Sequence, residues 1–217
     1  MSDVEPWRRK AALMVDLLGP LEPRVARVMR EVPRHRFVPS EDQDRAYDDE
    51  PLPLRYGGAT ISAPHMVAIQ LEWADLAPGL RVLEVGSGSG YLLALLHELV
   101  RPGGVVVGVE VEPRLVEGAR RALDELGSTD VEIRIGDGAE GVPDRAPFDR
   151  IVVSCATPEI LPAWRAQLRP DGTVVAPVGG SLEQRWVRWR NRPSGAPLEE
   201  GPACRFVPLL RAPRRHI

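Results

Sequence analysis

The sequence predicts an α/β fold: a mostly parallel sheet with helices on both faces, a small N-terminal helical segment and antiparallel C-terminal strands. Three observations carry this. From Arg81 to Pro177 short apolar runs alternate with segments of helical period, the pattern of strands joined by helical crossovers. The first run, Val82-Leu-Glu-Val-Gly-Ser-Gly-Ser-Gly-Tyr91, closes on an acid and a glycine-rich turn and passes into a helix former. At 217 residues the chain is long enough for one buried α/β core with an appendage. The expected organisation is a helical and substrate-loop segment over 1–78, a cofactor-binding core over 79–180, and a strand extension with a tail over 181–217.

Each element has its own signal. Trp7 to Leu18 and Pro23 to Val32 place apolar residues at helical spacing. Pro39 to Gly58 is polar and broken by Pro51, Pro53, Gly57 and Gly58, so it reads as irregular. Ser62-Ala-Pro-His opens a helix through Ala74, with Ser62 as its cap and Pro64 in its first turn. Strands are expected at Arg81–Val85, Val105–Glu110, Val131–Ile135, Arg150–Ser154 and Thr173–Pro177. Helices are expected at Tyr91–Val100, Pro113–Leu126 and Glu159–Leu168. Gln184–Arg190 and Cys204–Leu210 then read as neighbouring strands at a sheet edge, joined by a Pro/Gly turn. The basic end from Arg211 to Ile217 reads as a frayed tail.

Bulk properties narrow the class. An apolar content of 43% and a net charge of −3 describe an ordinary soluble globule without the general basic excess of a nucleic-acid binder. Cys155 and Cys204 are too few for a disulfide scaffold, and the four histidines and two cysteines show no metal-ligand spacing. The first residues lack the basic and apolar regions of a signal peptide, and no apolar run could span a bilayer. The expectation is a cytoplasmic monomer with no metal, nucleic-acid or membrane partner.

The glycine turn carries the chemistry. Glycines let a ligand approach the backbone, and the helix that follows presents free N–H groups. A dinucleotide site would use those groups on a pyrophosphate. Here Glu84 stands immediately before the turn, where a carboxylate repels phosphate and suits a cationic amino acid. Glu110 closes the next strand where such folds place a ribose-binding carboxylate, and Asp137 follows further on. The run Glu84-x-Gly-x-Gly-x-Gly90 resembles the first motif of class I S-adenosylmethionine-dependent methyltransferases. That cofactor carries an ammonium and a sulfonium but no phosphate, in agreement with the charge argument.

Separated segments extend the resemblance. Val32-Pro-Arg-His-Arg-Phe-Val-Pro39, Ala46-Tyr-Asp-Asp-Glu-Pro-Leu-Pro53, Ala59-Thr-Ile-Ser-Ala-Pro-His-Met66, Gly136-Asp-Gly-Ala-Glu-Gly141, Ala146-Pro-Phe-Asp149 and Arg205-Phe-Val-Pro-Leu209 together resemble the protein-L-isoaspartate O-methyltransferase family. The likeness covers about residues 20 to 210, and its most specific part is Thr60-Ile-Ser-Ala-Pro-His65. It implies a class I core that moves a methyl group from S-adenosylmethionine to the free carboxylate of L-isoaspartyl residues in proteins or peptides, leaving S-adenosylhomocysteine. It makes Ser62 the active-site serine and sets Thr60, Ile61 and His65, with Ala59, where cofactor and substrate meet. Glu84, Gly86, Ser87, Gly88, Ser89 and Gly90 would hold the methionine portion, Glu110 the ribose, and Asp137 and Gly138 would lie by the adenine.

Three stretches depart from the family's pattern. Leu54-Arg-Tyr-Gly-Gly-Ala is one residue longer than usual, Cys155 stands where alanine is common, and Leu210-Arg-Ala-Pro ends differently. They leave a second acceptor open: a particular aspartate of a ribosomally made peptide, methylated to install aspartimide. Other residues have plainer readings. Cys155 reads as a packed small residue and His97 as a structural residue of its helix. Arg55 is either an exposed arginine or a contact for a peptide carboxylate.

Overall fold

A computed structural model describes residues 4–192 and 198–212. Two helices open the chain, α1 (Val4–Leu17) and α2 (Pro23–Glu31). Short 3₁₀ helices follow at Arg34–Phe37 and Ser40–Arg45. The stretch read as irregular also holds β1 (Leu52–Pro53), which pairs antiparallel with β2 (Thr60–Ile61) before α3 (Pro64–Ala74). The alternating core comes next: β3 (Arg81–Val85), α4 (Tyr91–Val100), β4 (Val105–Glu110), α5 (Pro113–Glu125) and β5 (Glu132–Ile135). It continues through β6 (Phe148–Val153), α6 (Pro162–Ala166) and β7 (Leu168–Gly179), and β8 (Gln184–Arg190) and β9 (Leu198–Cys204) close it.

One seven-stranded sheet runs in the order β5-β4-β3-β6-β7-β8-β9. Its first five strands are parallel; β8 and β9 join antiparallel. Strand order reverses between β3 and β6, so their carboxyl ends flank the crevice where open α/β sheets bind ligands. Alternation along the strands divides two buried faces. Val82, Val106, Val152 and Val175 pack with the apolar sides of α1 to α5. Leu83, Val107, Ile151 and Val174 pack with Trp164 of α6, Phe148 and Val142. Helices cover both faces, but unequally: five stand on the first, and one short helix with its loops on the second.

Two expectations change. The helix read over Glu159–Leu168 contracts to α6, because Pro162 holds Leu161 extended (ψ 142°) and lets the helix start only at the proline. The last strand is Leu198–Cys204, not Cys204–Leu210. The apolar run Phe206-Val-Pro-Leu209 instead crosses the end of β6. Ala156 donates to Val207 and accepts from Leu209, both at 2.8 Å, around a single parallel bridge to Pro208. Its hydrophobicity serves packing over the crevice, whereas the polar β9, with Pro202, suits an exposed edge. The Pro/Gly turn before β9 and residues 213–217 of the basic end lie outside the described residues. Arg211 itself pairs with Asp137 (Nε to Oδ2, 2.8 Å).

Candidate active site

The glycine turn is held from behind. Gly90 begins α4 in a left-handed conformation (φ +84°), and a β-carbon there would stand 2.9 Å from that of Ala119 on α5. Most of the turn's N–H groups are already used. Gly86 and Ser87 donate to Val109, at 2.9 and 3.3 Å, and Gly90 donates to Ser87 at 2.8 Å. Gly88 donates to Glu110 Oε2 at 2.9 Å, while Val111 and Glu112 donate to Glu110 Oε1 at 2.8 and 3.1 Å. The turn therefore offers little to a pyrophosphate and sets a carboxylate at its mouth. A phosphate-free nucleoside fits; a dinucleotide does not.

Glu84 lies beneath the turn, 1% exposed. Gln70 of α3 donates to Ser154 Oγ at 3.1 Å, and Ser154 donates to Glu84 Oε1 at 2.9 Å. Glu84 Oε2 is buried with no hydrogen-bond partner among the described residues. Burial pushes this carboxyl well above the usual carboxylate range, outweighing the Ser154 hydrogen bond that pulls the other way; the Glu110 charge pushes it higher still. A buried carboxyl with one idle oxygen suits a cation. The ammonium end of an amino-acid-bearing ligand supplies one.

Two cavities meet here. The first, of about 250 Å³, is walled by Gly57 to Thr60, by Gly86 and Gly88, by Glu110 to Glu112, by Gly138 and by the crossing segment Val207 to Leu210. The second, of about 210 Å³, is lined by Ser62, Ala63, His65, Met66, Arg205 and Phe206 among others. Thr60, Ser154 and Val207 belong to both, so a ligand in one reaches a ligand in the other past these three residues. Cys155 closes the first cavity beneath the turn; burial pushes its thiol up to about 12, with the Glu110 and Glu84 charges adding to it. At neutral pH it is a packed thiol rather than a nucleophile.

The sequence-predicted residues separate into groups. Ala59, Thr60, Gly86, Gly88, Glu110 and Gly138 line the first cavity, and Thr60, Ser62 and His65 the second. Ser87 is buried with its hydroxyl 3.3 Å from the Val109 carbonyl, and Ser89 faces a neighbouring groove. Ile61 is turned into the core, 4% exposed. Asp137 caps the turn after β5 by accepting from Ala139 at 2.9 Å and is held by Arg211, so its neighbour Gly138 rather than its carboxylate faces the cavity. Ser62 does not cap α3. Ala63 holds that place, because the helix starts one residue later than a serine cap requires, and the Asp49 side chain instead accepts from the His65 N–H of the first turn.

These features coincide with the comparisons. A family model described as "Protein-L-isoaspartate(D-aspartate) O-methyltransferase (PCMT)" matches residues 11–213. The protein-L-isoaspartate O-methyltransferase of Methanopyrus kandleri is 42% identical over 214 residues, covering 96% of this chain and 94% of its own. The chain belongs to the protein-L-isoaspartate O-methyltransferase family. A solved protein-L-isoaspartate O-methyltransferase superposes with a TM-score of 0.84 at 30% identity, over 93% of this chain and 65% of the longer solved chain. The fold is also that of a Plasmodium falciparum structure described as a putative family member in complex with S-adenosyl-L-homocysteine. The TM-score there is 0.80 at 23% identity, over 93% of this chain and 98% of that one.

Within this family member several site residues escaped sequence reasoning. Ser154 and Gln70 reach Glu84 only through the fold, and a glutamine inside an apolar helix was the sole available signal. Arg34 is fully buried. It donates to the carbonyls of Ala46 (Nε, 2.7 Å) and Ser62 (Nη2, 2.9 Å), and its guanidinium lies 5.0 Å over the Tyr91 ring. One guanidinium thus ties the serine loop to the first residue of α4. His65 is fixed through its backbone N–H (2.9 Å) and Nδ1 (2.8 Å) to Asp49 Oδ1. Arg55 pairs with Glu41 at 2.6 Å and lines neither cavity.

Proposed function

We propose that this protein transfers a methyl group from S-adenosylmethionine to the free carboxylate of L-isoaspartyl residues in proteins and peptides. The observation that carries this reading is the pair of cavities joined at Thr60, Ser154 and Val207 beside Glu84 and Glu110. When bound, S-adenosylmethionine supplies a methyl carbon on a positively charged sulfur, already an excellent electrophile. The acceptor carboxylate, with a reference pKa of ~4, is already ionised at neutral pH and needs no base.

What remains for the protein is to orient the two and to exclude water. Glu84, once ionised, answers the ammonium, while Glu110 takes the ribose hydroxyls and Gly138 supports the adenine. Ser62 donates to the acceptor carboxylate and aims it, with Thr60 and His65 shaping the wall. The carboxylate oxygen bonds the methyl carbon, the carbon–sulfur pair stays on sulfur, and both formal charges disappear. The resulting ester is a better leaving group. The following peptide nitrogen then closes a succinimide with loss of methanol, and water opens the ring to aspartate or isoaspartate.

In this reading 1–78 brings the acceptor loop, 79–180 the cofactor site and 181–217 the covering strands. Among the described residues no helix is long and apolar enough to cross a membrane. We place the activity in the cytoplasm, in a monomer acting on protein or peptide without nucleic acid. Paired isoaspartyl and aspartyl peptides incubated with S-adenosylmethionine and followed by mass spectrometry provide the test. The reading requires a methyl gain on isoaspartyl peptides of varied sequence. Aspartimide formed from one aspartyl peptide alone would refute it.

A further inference from the structure

The second cavity has an unpartnered cation on its wall. Arg205 lines it, is exposed, and makes no hydrogen bond, ion pair or ring contact among the described residues. The other arginines near the site are engaged: Arg34 with carbonyls, Arg55 with Glu41 and Arg211 with Asp137. The backbone around Arg205 is nevertheless fixed. Cys204 is the last residue of β9, in register with Gln184. On the other side, the Gln184 side chain accepts from the Phe206 N–H at 2.7 Å and donates to its carbonyl at 3.1 Å. Two ordered residues therefore bracket a free guanidinium at a cavity whose other ionisable side chain, His65, is held by Asp49.

We propose that Arg205 recognises the charge of the acceptor carboxylate, as a specificity residue for the reaction described above, on which this inference rests. Its guanidinium donates to the oxygen that does not attack, leaving the other oxygen to Ser62 and the methyl group. A guanidinium matches a carboxylate in both charge and plane. Because the ester product is neutral, the attraction is lost as the reaction proceeds. Arg205 therefore favours substrate over product and acts on binding more than on the chemical step.

The test uses the full chain, an isoaspartyl peptide and its uncharged isoasparaginyl counterpart as a competitor. Arg205→Met should raise KM for the isoaspartyl peptide on the order of 10-fold with kcat little changed. It should also abolish the preference for the isoaspartyl over the isoasparaginyl peptide and flatten the rise of KM with salt. Arg205→Lys should restore part of the preference. Thermal melting and cofactor titration of each variant should match wild type. If wild type methylates the isoaspartyl peptide and Arg205→Met keeps both its KM and its preference, the proposal is overturned while the function stands. A wild-type protein that leaves isoaspartyl peptides unmethylated would overturn both.

Discussion

Replacing Glu84 with glutamine should make the free protein more stable and a poorer binder of its cofactor. Glutamine keeps the shape of the side chain and the hydrogen bond from Ser154, removing only the ability to ionise. In the folded protein burial holds the Glu84 pKa well above its ordinary value; in the unfolded chain it returns to the ordinary value. The unfolded state therefore binds fewer protons between those two values. The protonated acid's contribution to stability is complete below the unfolded pKa, falls as pH rises, and is lost by the folded pKa. The slope is ~1.4 kcal/mol per pH unit across that window. Urea unfolding of both proteins across a pH series should show Glu84→Gln pulling ahead as pH rises above the ordinary carboxylate range. Isothermal titration should show the opposite for binding: loss of a charge-assisted partner, ~1.5–3 kcal/mol, or roughly 10- to 150-fold in Kd. Wild-type binding should also release a proton, visible as a heat that changes with the buffer. Parallel pH profiles for the two proteins, or an unchanged Kd, would show that Glu84 is neither strained nor used.

Glu110→Ala removes the proposed ribose acceptor and the anchor of Gly88 together, so binding of S-adenosylmethionine should weaken by more than the ~1.5–3 kcal/mol of one charge-assisted hydrogen bond; titration of a folded variant with unchanged Kd contradicts this. Ser62→Ala should slow methyl transfer with Tm and cofactor affinity nearly unchanged, because no cap is lost; full turnover would remove Ser62 from the chemistry. Arg34→Gln should lower stability by several kcal/mol through two charge-assisted bonds to carbonyls, each worth ~1.5–3 kcal/mol; a variant melting with wild type would show that Arg34 holds nothing. Cys155 should resist alkylation at pH 8, a pH far below a thiol pKa of about 12, as peptide mass spectrometry can verify; rapid labelling of native protein refutes its burial.

Much of this was legible in the sequence because it depends on local rules. The strand that ends at Glu84-Val-Gly, the left-handed glycines and the acid closing β4 each declare themselves within a few residues. What could not be seen depends on partners far along the chain. Ser62 has the composition of a cap, yet the helix start is set by Ala63 and Pro64, and Arg34 comes from 28 residues upstream to bind its carbonyl. Phe206 to Leu209 carries the apolar signature of a strand, but its burial comes from the crevice it crosses, which no local pattern records. Asp137 has the position of a residue beside the adenine, but its ion pair with Arg211, 74 residues later, is invisible to any local pattern.

The three N–H groups gathered on Glu110 constrain how this protein could be re-engineered. Designers who want an enzyme to accept cofactors with an altered sugar usually begin by changing the acid at the end of the second strand. Here that acid also fastens the glycine turn, so any shorter or neutral replacement loosens the floor under the rest of the ligand. Acceptance of modified sugars would have to come from another part of the wall, at Gly57 and Gly58, whose backbone borders the same cavity. The route to a new cofactor runs through the loop before Thr60.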